Sequence, residues 1–158
     1  IMLSSSQVAK LKPVSSFHIT LKFLGDVDEK KLNEIKELLA QVKFDSFKVS
    51  TSGLGVFPKP SLPKVLWVGL EPQEPLFKLH EQIDRALKDY FAPDKRFHPH
   101  ITLARVKFVK DRRWTTNILK KIEAKKMSLE VKSFNLVKST LTQSFPVHET
   151  LFKFESRK

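Results

Sequence analysis

The chain has 158 residues, 41% of them hydrophobic, and a formal net charge of +12, from 29 Lys and Arg against 17 Asp and Glu. This apolar content excludes a disordered chain and predicts one domain with a substantial core, and the positive charge favours a polyanionic partner such as nucleic acid or nucleotides. There is no cysteine, which excludes disulfides and thiolate chemistry and is typical of a cytoplasmic protein, and no apolar run reaches the roughly 18 residues of a membrane span.

Apolar periodicity predicts helices and strands interspersed along the chain. An edge segment at residues 10–14 precedes a strand at 17–24, and Asp28 caps the helix that follows. The later elements, in order, are a strand at 47–57 with a bulge or close backbone approach at Gly53 and Gly55, a strand covered on both faces at 65–70, a helix from Pro75, a strand at 100–106, a helix at 112–126, and strands at 129–137 and 149–154. Short strand-to-strand joins imply antiparallel pairing, so the sequence predicts an α+β domain with two similar lobes.

The motif His-Ile-Thr-Leu occurs twice, and each copy opens an apolar strand. Because strand side chains alternate, His18 and Thr20 share one face, as do His100 and Thr102. Two imidazoles can serve as base and acid together, and two threonine hydroxyls can donate to the non-bridging oxygens of a phosphate. The paired motifs therefore predict in-line phosphodiester cleavage, in which one imidazole activates water and the other protonates the departing oxygen.

The other candidate functional residues give weaker predictions. His98 and His100 are two residues apart, which is a metal-ligand spacing on a strand, but Pro99 between them makes His98 a residue of the preceding loop. We therefore expect no metal and no other cofactor. His80 falls on the polar face of the helix from Pro75, so we expect it to be solvated, and Phe57 is a candidate to stack on a base.

These motifs, with three further segments, resemble the two-histidine phosphoesterases, most closely the RNA 2′,3′-cyclic phosphodiesterases of archaeal type, historically called 2′-5′ RNA ligases. The segments are FHITLKFLG at 17–25, GLGVFP at 53–58, VLWVG at 65–69, HITLARVK at 100–107 and KSTLT at 138–142. The resemblance implies a bilobal α+β fold in which two antiparallel sheets, flanked by helices, are related by a pseudo-two-fold axis with a cleft between the lobes. It implies one such domain over residues 1–158, lacking the first strand and helix of the family.

The resemblance also implies an activity: metal-independent opening of RNA 2′,3′-cyclic phosphates to 2′-phosphates, with 2′-5′ RNA ligase activity in the reverse sense. By similarity His18 would protonate the leaving 3′ oxygen and His100 would activate water. Thr20, Thr102 and Arg105 would hold the phosphate. The implied partners of a monomeric protein are nucleotides and RNA with a 2′,3′-cyclic phosphate or a 2′-5′ linkage, tRNA halves among them.

Two points stay open. Simple alternation places Arg105 on the face away from Thr102, so its role requires a bulge or a twist in the strand. The alternative function is a non-catalytic nucleotide- or RNA-binding module with the same pocket, because a fold does not fix an activity. Intact histidines and threonines in both motifs favour the enzyme.

Overall fold

The computed structural model describes residues 9–110, 112–142 and 146–157, and it confirms the α+β class. Its helices are α1 (Glu29–Ala40), α2 (Glu74–Ala86) and α3 (Arg112–Lys121). Its strands are β1 (Ala9–Pro13), β2 (Phe47–Lys59), β3 (Leu62–Glu71), β4 (His100–Val109), β5 (Ser128–Val131), β6 (Ser133–Thr140) and β7 (Val147–Glu155). Among the described residues, no helix combines the length and apolar character that crossing a membrane requires.

The described residues form two compact units, each assembled from three stretches of chain. The first unit holds the chain up to Ile19, Ser50–Glu71 and His100–Met127, and the second unit holds Thr20–Val49, Pro72–Pro99 and the chain from Ser128. The backbone passes between the units five times. Neither unit is therefore a continuous stretch that a single cut would release.

An antiparallel sheet organises the first unit. Within this unit the strands follow the order β1-β4-β3-β2, so β3 is an interior strand with a neighbour on each side and β1 lies at the edge, as predicted for both. One face of the sheet buries Val56, Leu66 and Ala104, and Leu11 and Leu119 pack against them. The burial of this face leaves the opposite face of β4 to carry polar side chains.

Two helices and a two-stranded ladder supply the core of the second unit, in which β6 pairs antiparallel with β7. The buried cluster joins residues of α1, α2 and β6, among them Ile35, Leu79 and Phe134. The predicted cap of α1 is confirmed, since the Asp28 carboxylate accepts a hydrogen bond from the Lys31 backbone N–H at 3.0 Å. Such a bond satisfies an amide that the first turn of a helix leaves without a partner.

The first motif differs from its prediction. Within the described residues, no strand covers 14–28, although the predicted strand spans 17–24. The pairing of β1 with β4 extends by one residue, because the Val14 N–H donates to the Leu103 carbonyl at 3.0 Å. Alternating polarity indicates which side chains are buried together, but a strand also needs a neighbour for its backbone groups, and the pattern does not identify one.

Candidate active site

The second motif lies on β4, next to the central strand. In the register of the two strands, His100 pairs with Gly69 and Thr102 pairs with Trp67. Residues directly opposite each other share a face of the sheet, and so do residues two apart on one strand. His100 and Thr102 therefore lie on the same face, as predicted, and both are half-buried.

A β-bulge in β4 follows this pair. Trp67 pairs with Thr102 and Leu66 pairs with Ala104, so Leu103 is an extra residue in the ladder. An extra residue shifts the alternation of the strand by one position. Val65 then pairs with Arg105, which places Arg105 on the face that carries Thr102 and Trp67. The bulge that a phosphate-binding role for Arg105 requires is present.

Two aromatic rings hold the imidazole of His100. The Phe57 ring meets it edge-on, with centroids 5.0 Å apart, and the Trp67 ring lies with its centroid 6.0 Å away. The Phe57 and Trp67 rings also contact each other at 5.1 Å between centroids. Packed rings restrict the rotamers of a side chain between them, so His100 has a defined orientation.

Two positions of these strands require glycine, because another side chain lies directly against the backbone there. A Cβ at Gly55 would lie 2.1 Å from Cζ2 of Trp67, and a Cβ at Gly69 would lie 2.6 Å from Oγ of Ser52. The Trp67 indole thus lies flat over Gly55, and the Ser52 hydroxyl lies over Gly69, the partner of His100. The close approach expected at Gly55 is confirmed, and a register shift between Thr51 and Leu54 confirms the bulge expected near Gly53.

Lys12 is a basic residue of this face that sequence reasoning missed. It lies on the edge strand β1, directly opposite Arg105, so the two cationic side chains are neighbours on one face. Two adjacent cations suit an anion such as a phosphate. The pairing follows from the β1–β4 register, and 93 positions separate the two residues in the sequence, so only a β1–β4 alignment could have indicated it.

The first motif contributes one residue to each unit. His18 is exposed and belongs to the first unit, together with His100, Thr102 and Arg105. Thr20 is half-buried and is the first residue of the second unit. The structure therefore brings His100, Thr102 and Arg105 onto one face, and it places His18 within the same compact unit.

The expectation that His80 is solvated is wrong. Its side chain is only 5% exposed, and its ring stacks on Phe97 with centroids 4.1 Å apart. The residues around His80 in the sequence are polar, which is typical of a solvent-exposed helix face, but loop residues cover this face in the structure. A buried polar side chain needs hydrogen-bond partners, and His80 has them in two backbone carbonyls.

The two histidines with metal-ligand spacing, His98 and His100, have different surroundings in the structure. His98 is exposed, in the loop that precedes β4. In the part of the chain that the structure describes, no three His, Asp or Glu side chains are grouped closely enough to hold a metal ion.

Comparison with known proteins identifies the family. The sequence model of the 2′-5′ RNA ligase superfamily matches residues 9–143. The chain belongs to this superfamily. It is 37% identical over 145 residues to an RNA 2′,3′-cyclic phosphodiesterase of Aeropyrum pernix, a match that covers 89% of this chain and 82% of that protein. It is 38% identical over 154 residues to an RNA 2′,3′-cyclic phosphodiesterase of Archaeoglobus fulgidus, covering 95% and 86% of the two chains.

A solved structure supports the superfamily fold. The crystal structure of TT0787 of Thermus thermophilus superimposes with a TM-score of 0.77 at 29% sequence identity. The match covers 92% of this chain and 81% of that one. The family predicted from the ordered set of motif segments and the α+β class predicted from the order of helices and strands are both confirmed.

The Gly55–Trp67 contact gives a first prediction. We expect Gly55→Ala to destabilise the protein by about 1–3 kcal/mol, because the added Cβ overlaps a rigid indole ring that is already packed. The displaced indole also contacts His100, so the rate of the catalysed reaction should fall. Chemical denaturation followed by tryptophan fluorescence measures the first effect, and initial rates measure the second.

Gly53→Ala is the matched control, since a Cβ at Gly53 meets no atom within 4 Å. A change within about 0.5 kcal/mol is expected there. Equal stability of the two variants would contradict the placement of the Trp67 ring.

Proposed function

We propose that this chain hydrolyses 2′,3′-cyclic phosphate ends of RNA to 2′-phosphates, without a metal, by paired histidine general acid and base. Membership of the 2′-5′ RNA ligase superfamily and 37% and 38% identity to two RNA 2′,3′-cyclic phosphodiesterases support the reaction class. The structural observation that supports roles for particular residues of this chain is the bulge in β4, because it puts His100, Thr102 and Arg105 on one face of the sheet.

The reaction requires one base and one acid, and the resemblance to the two-histidine phosphoesterases assigns each role to one of the two histidines. His100 removes a proton from water, whose oxygen attacks phosphorus in line with the 3′ oxygen. The bond from phosphorus to the 3′ oxygen breaks, and His18 donates the proton that the 3′ oxygen takes up. The products are a 2′-phosphate and a 3′-hydroxyl.

Charge grows on the non-bridging oxygens during this step. Thr20 and Thr102 donate hydrogen bonds to these oxygens, and Arg105 supplies a positive charge. Lys12, opposite Arg105, adds a second positive charge on the same face. Its proposed partner is the phosphate that precedes the cyclic end of the RNA strand. With the 5′-hydroxyl of a second strand in place of water, the same groups would form a bond from the 5′ oxygen to phosphorus while the bond to the 3′ oxygen breaks and the 3′ oxygen takes up a proton, which is 2′-5′ RNA ligation.

The proposal extends to the organisation and setting of the protein. We take residues 1–158 as one bilobal domain, because the backbone passes five times between the two units. The proposed substrates are RNA ends such as those of tRNA halves, RNA with 2′-5′ linkages, and nucleotides. The proposed state is a cytoplasmic monomer.

Phosphorus NMR tests the reaction and its direction. An oligoribonucleotide with a 2′,3′-cyclic phosphate end is incubated with the protein in EDTA, and the signal of the product is assigned. We expect a 2′-phosphate monoester to appear at the rate seen without EDTA. A 3′-phosphate product would overturn the assignment of the leaving oxygen, and loss of turnover in EDTA would overturn metal independence. RNA that binds without turnover would favour the non-catalytic module.

A further inference from the structure

A buried ion pair follows the first motif in the second unit. The Lys22 ammonium contacts the Asp84 carboxylate of α2, and their side chains are only 4% and 14% exposed. Lys22 also donates to the Ala92 carbonyl at 2.9 Å. Lys22 is therefore held at once by the helix and by the loop that follows it.

The carboxylate of Asp84 makes a second attachment to the same loop. Its other oxygen accepts a hydrogen bond from the Asp94 backbone N–H at 2.8 Å. The Asp94 side chain in turn accepts from the Arg96 N–H at 2.9 Å, which closes a turn in this loop. Residues 92–96 are thus fixed by charged side chains rather than by packing alone.

His80, one turn before Asp84 on α2, joins the loop to the first motif. Its Nδ1 lies 2.9 Å from the Leu21 carbonyl oxygen, and its Nε2 lies 3.2 Å from the Asp94 carbonyl oxygen. A ring nitrogen that carries a proton donates to the carbonyl oxygen beside it. Nε2 also lies 3.8 Å from the Asp84 carboxylate, and the ring stacks on that of Phe97.

These contacts hold two particular stretches of backbone together. One stretch is residues 20–22, which begins with the motif threonine, and the other is the loop that ends just before the second motif. Buried ion pairs seldom add stability over an apolar cluster of the same size, so the role to be considered for this pair is the position of the groups that it joins. The reaction proposed above uses residues of both motifs, and a misplacement of a reacting group by about 1 Å can cost 100-fold in rate.

We propose that Lys22, Asp84 and His80 form a positioning cluster for the reaction, which fixes the backbone of Thr20 against the loop that leads into His100. This inference rests on the function proposed above. None of the three residues touches the reacting atoms. They act through Thr20, whose hydroxyl is useful only where charge develops on the phosphate, so their loss should lower kcat more than it changes KM.

The test is the double variant Lys22→Met/Asp84→Asn, which removes both charges and keeps the side-chain shapes. Replacing both partners of a buried pair by neutral groups leaves no unpaired charge, so the variant should fold with an unfolding midpoint near that of the wild type. We expect kcat for a 2′,3′-cyclic phosphate end to fall about 10-fold or more, with KM changed less than about two-fold. Hydrogen exchange of residues 20–24 should become faster.

Two further variants complete the design. Lys22→Arg keeps the cation and should retain most of the wild-type kcat. The matched control is Lys78→Met/Glu74→Gln, which removes another lysine–carboxylate pair of α2, one with side chains 68% and 74% exposed, and it should leave kcat and exchange unchanged. Should the first double variant not fold, His80→Gln, which has a single side-chain nitrogen in place of the two that contact the Leu21 and Asp94 carbonyl oxygens, is measured instead, and kcat should fall there too.

The outcomes separate this inference from the proposed function. An active wild type with an unchanged kcat in the cluster variants overturns the positioning role and leaves the enzyme in place. A change in KM alone, or an equal loss in the exposed control pair, overturns it as well. A wild type without turnover overturns the proposed function, and the positioning role falls with it.

Discussion

Alanine at His100 or at His18 should lower kcat for cyclic phosphate opening by about 10²–10⁴-fold, the range that general acid or base catalysis contributes. In the proposed reaction, the loss of His100 removes the group that takes the proton from water. The loss of His18 leaves the 3′ oxygen to depart without a proton. Initial rates on an oligoribonucleotide with a 2′,3′-cyclic phosphate end measure both effects, with wild-type protein at saturating substrate as the reference.

His98→Ala is the control for the loss of an imidazole, since His98 is exposed and lies only two residues before His100. Its kcat should match that of the wild type. The double variant His18→Ala/His100→Ala should lose little more than either single variant, because groups that act in one step are not additive. Half of the wild-type kcat in either single variant would contradict the paired roles.

The pH dependence of kcat/KM in the wild type tests the same assignment of acid and base to two histidines. One imidazole must be neutral to accept a proton and the other must be protonated to donate one, so kcat/KM should follow a bell-shaped profile. Each single alanine variant should lose one limb of the bell in its residual activity. A single titrating limb in the wild type would contradict the assignment of acid and base to two histidines.

Local sequence patterns predicted much of the face that carries the second motif. Alternation alone placed His100 and Thr102 together, and the apolar run around Trp67 predicted the central strand beside them. The same rule put Arg105 on the wrong face, because a single extra residue at Leu103 reverses everything after it. A bulge depends on how two strands pair with each other. The sequence of β4 alone therefore indicates this bulge only indirectly, because the proposed contact of Arg105 with the phosphate requires it.

The features that the sequence patterns did not predict depend on tertiary contacts. Lys22 follows Thr20 by two positions, and its sequence neighbours say nothing of Asp84, 62 positions away, with which it is buried. His80 has a polar helical setting, yet the loop residue Phe97 stacks on its ring. A loop that folds back over a helix leaves no periodic signal, so burial there becomes visible only in three dimensions.

The Asp84 carboxylate should make the stability of the protein depend on pH in the acid range. Burial raises the pKa of Asp84, but hydrogen bonds from the Lys22 ammonium and the Asp94 N–H, with the charges of Lys22 and His80, hold it below the ordinary value of 3.8. A carboxyl group with a lowered folded-state pKa stabilises the protein fully above its unfolded-state value. That contribution is lost as the pH falls from 3.8 through the folded-state pKa.

Asp84→Asn should therefore destabilise the protein by about 3–5 kcal/mol at pH 7, where the buried Lys22 ammonium loses its counter-charge. The gap to the wild type should narrow below pH 3.8, because protonation removes the same charge from the wild-type carboxyl. Urea unfolding over a pH series measures both quantities. Glu130→Gln is the control, since the pKa of Glu130 is also lowered by its lysine partner, Lys132, but at the surface.

Adding Lys22→Met to Asp84→Asn should restore most of the lost stability, because the second substitution removes the unpaired cation. Recovery of stability without recovery of kcat would separate the two consequences of one ion pair. The charges would then be dispensable for folding and required for placing Thr20. Recovery of both would mean that the pair serves the fold alone, and no recovery would mean that the Lys22 ammonium is not buried against Asp84.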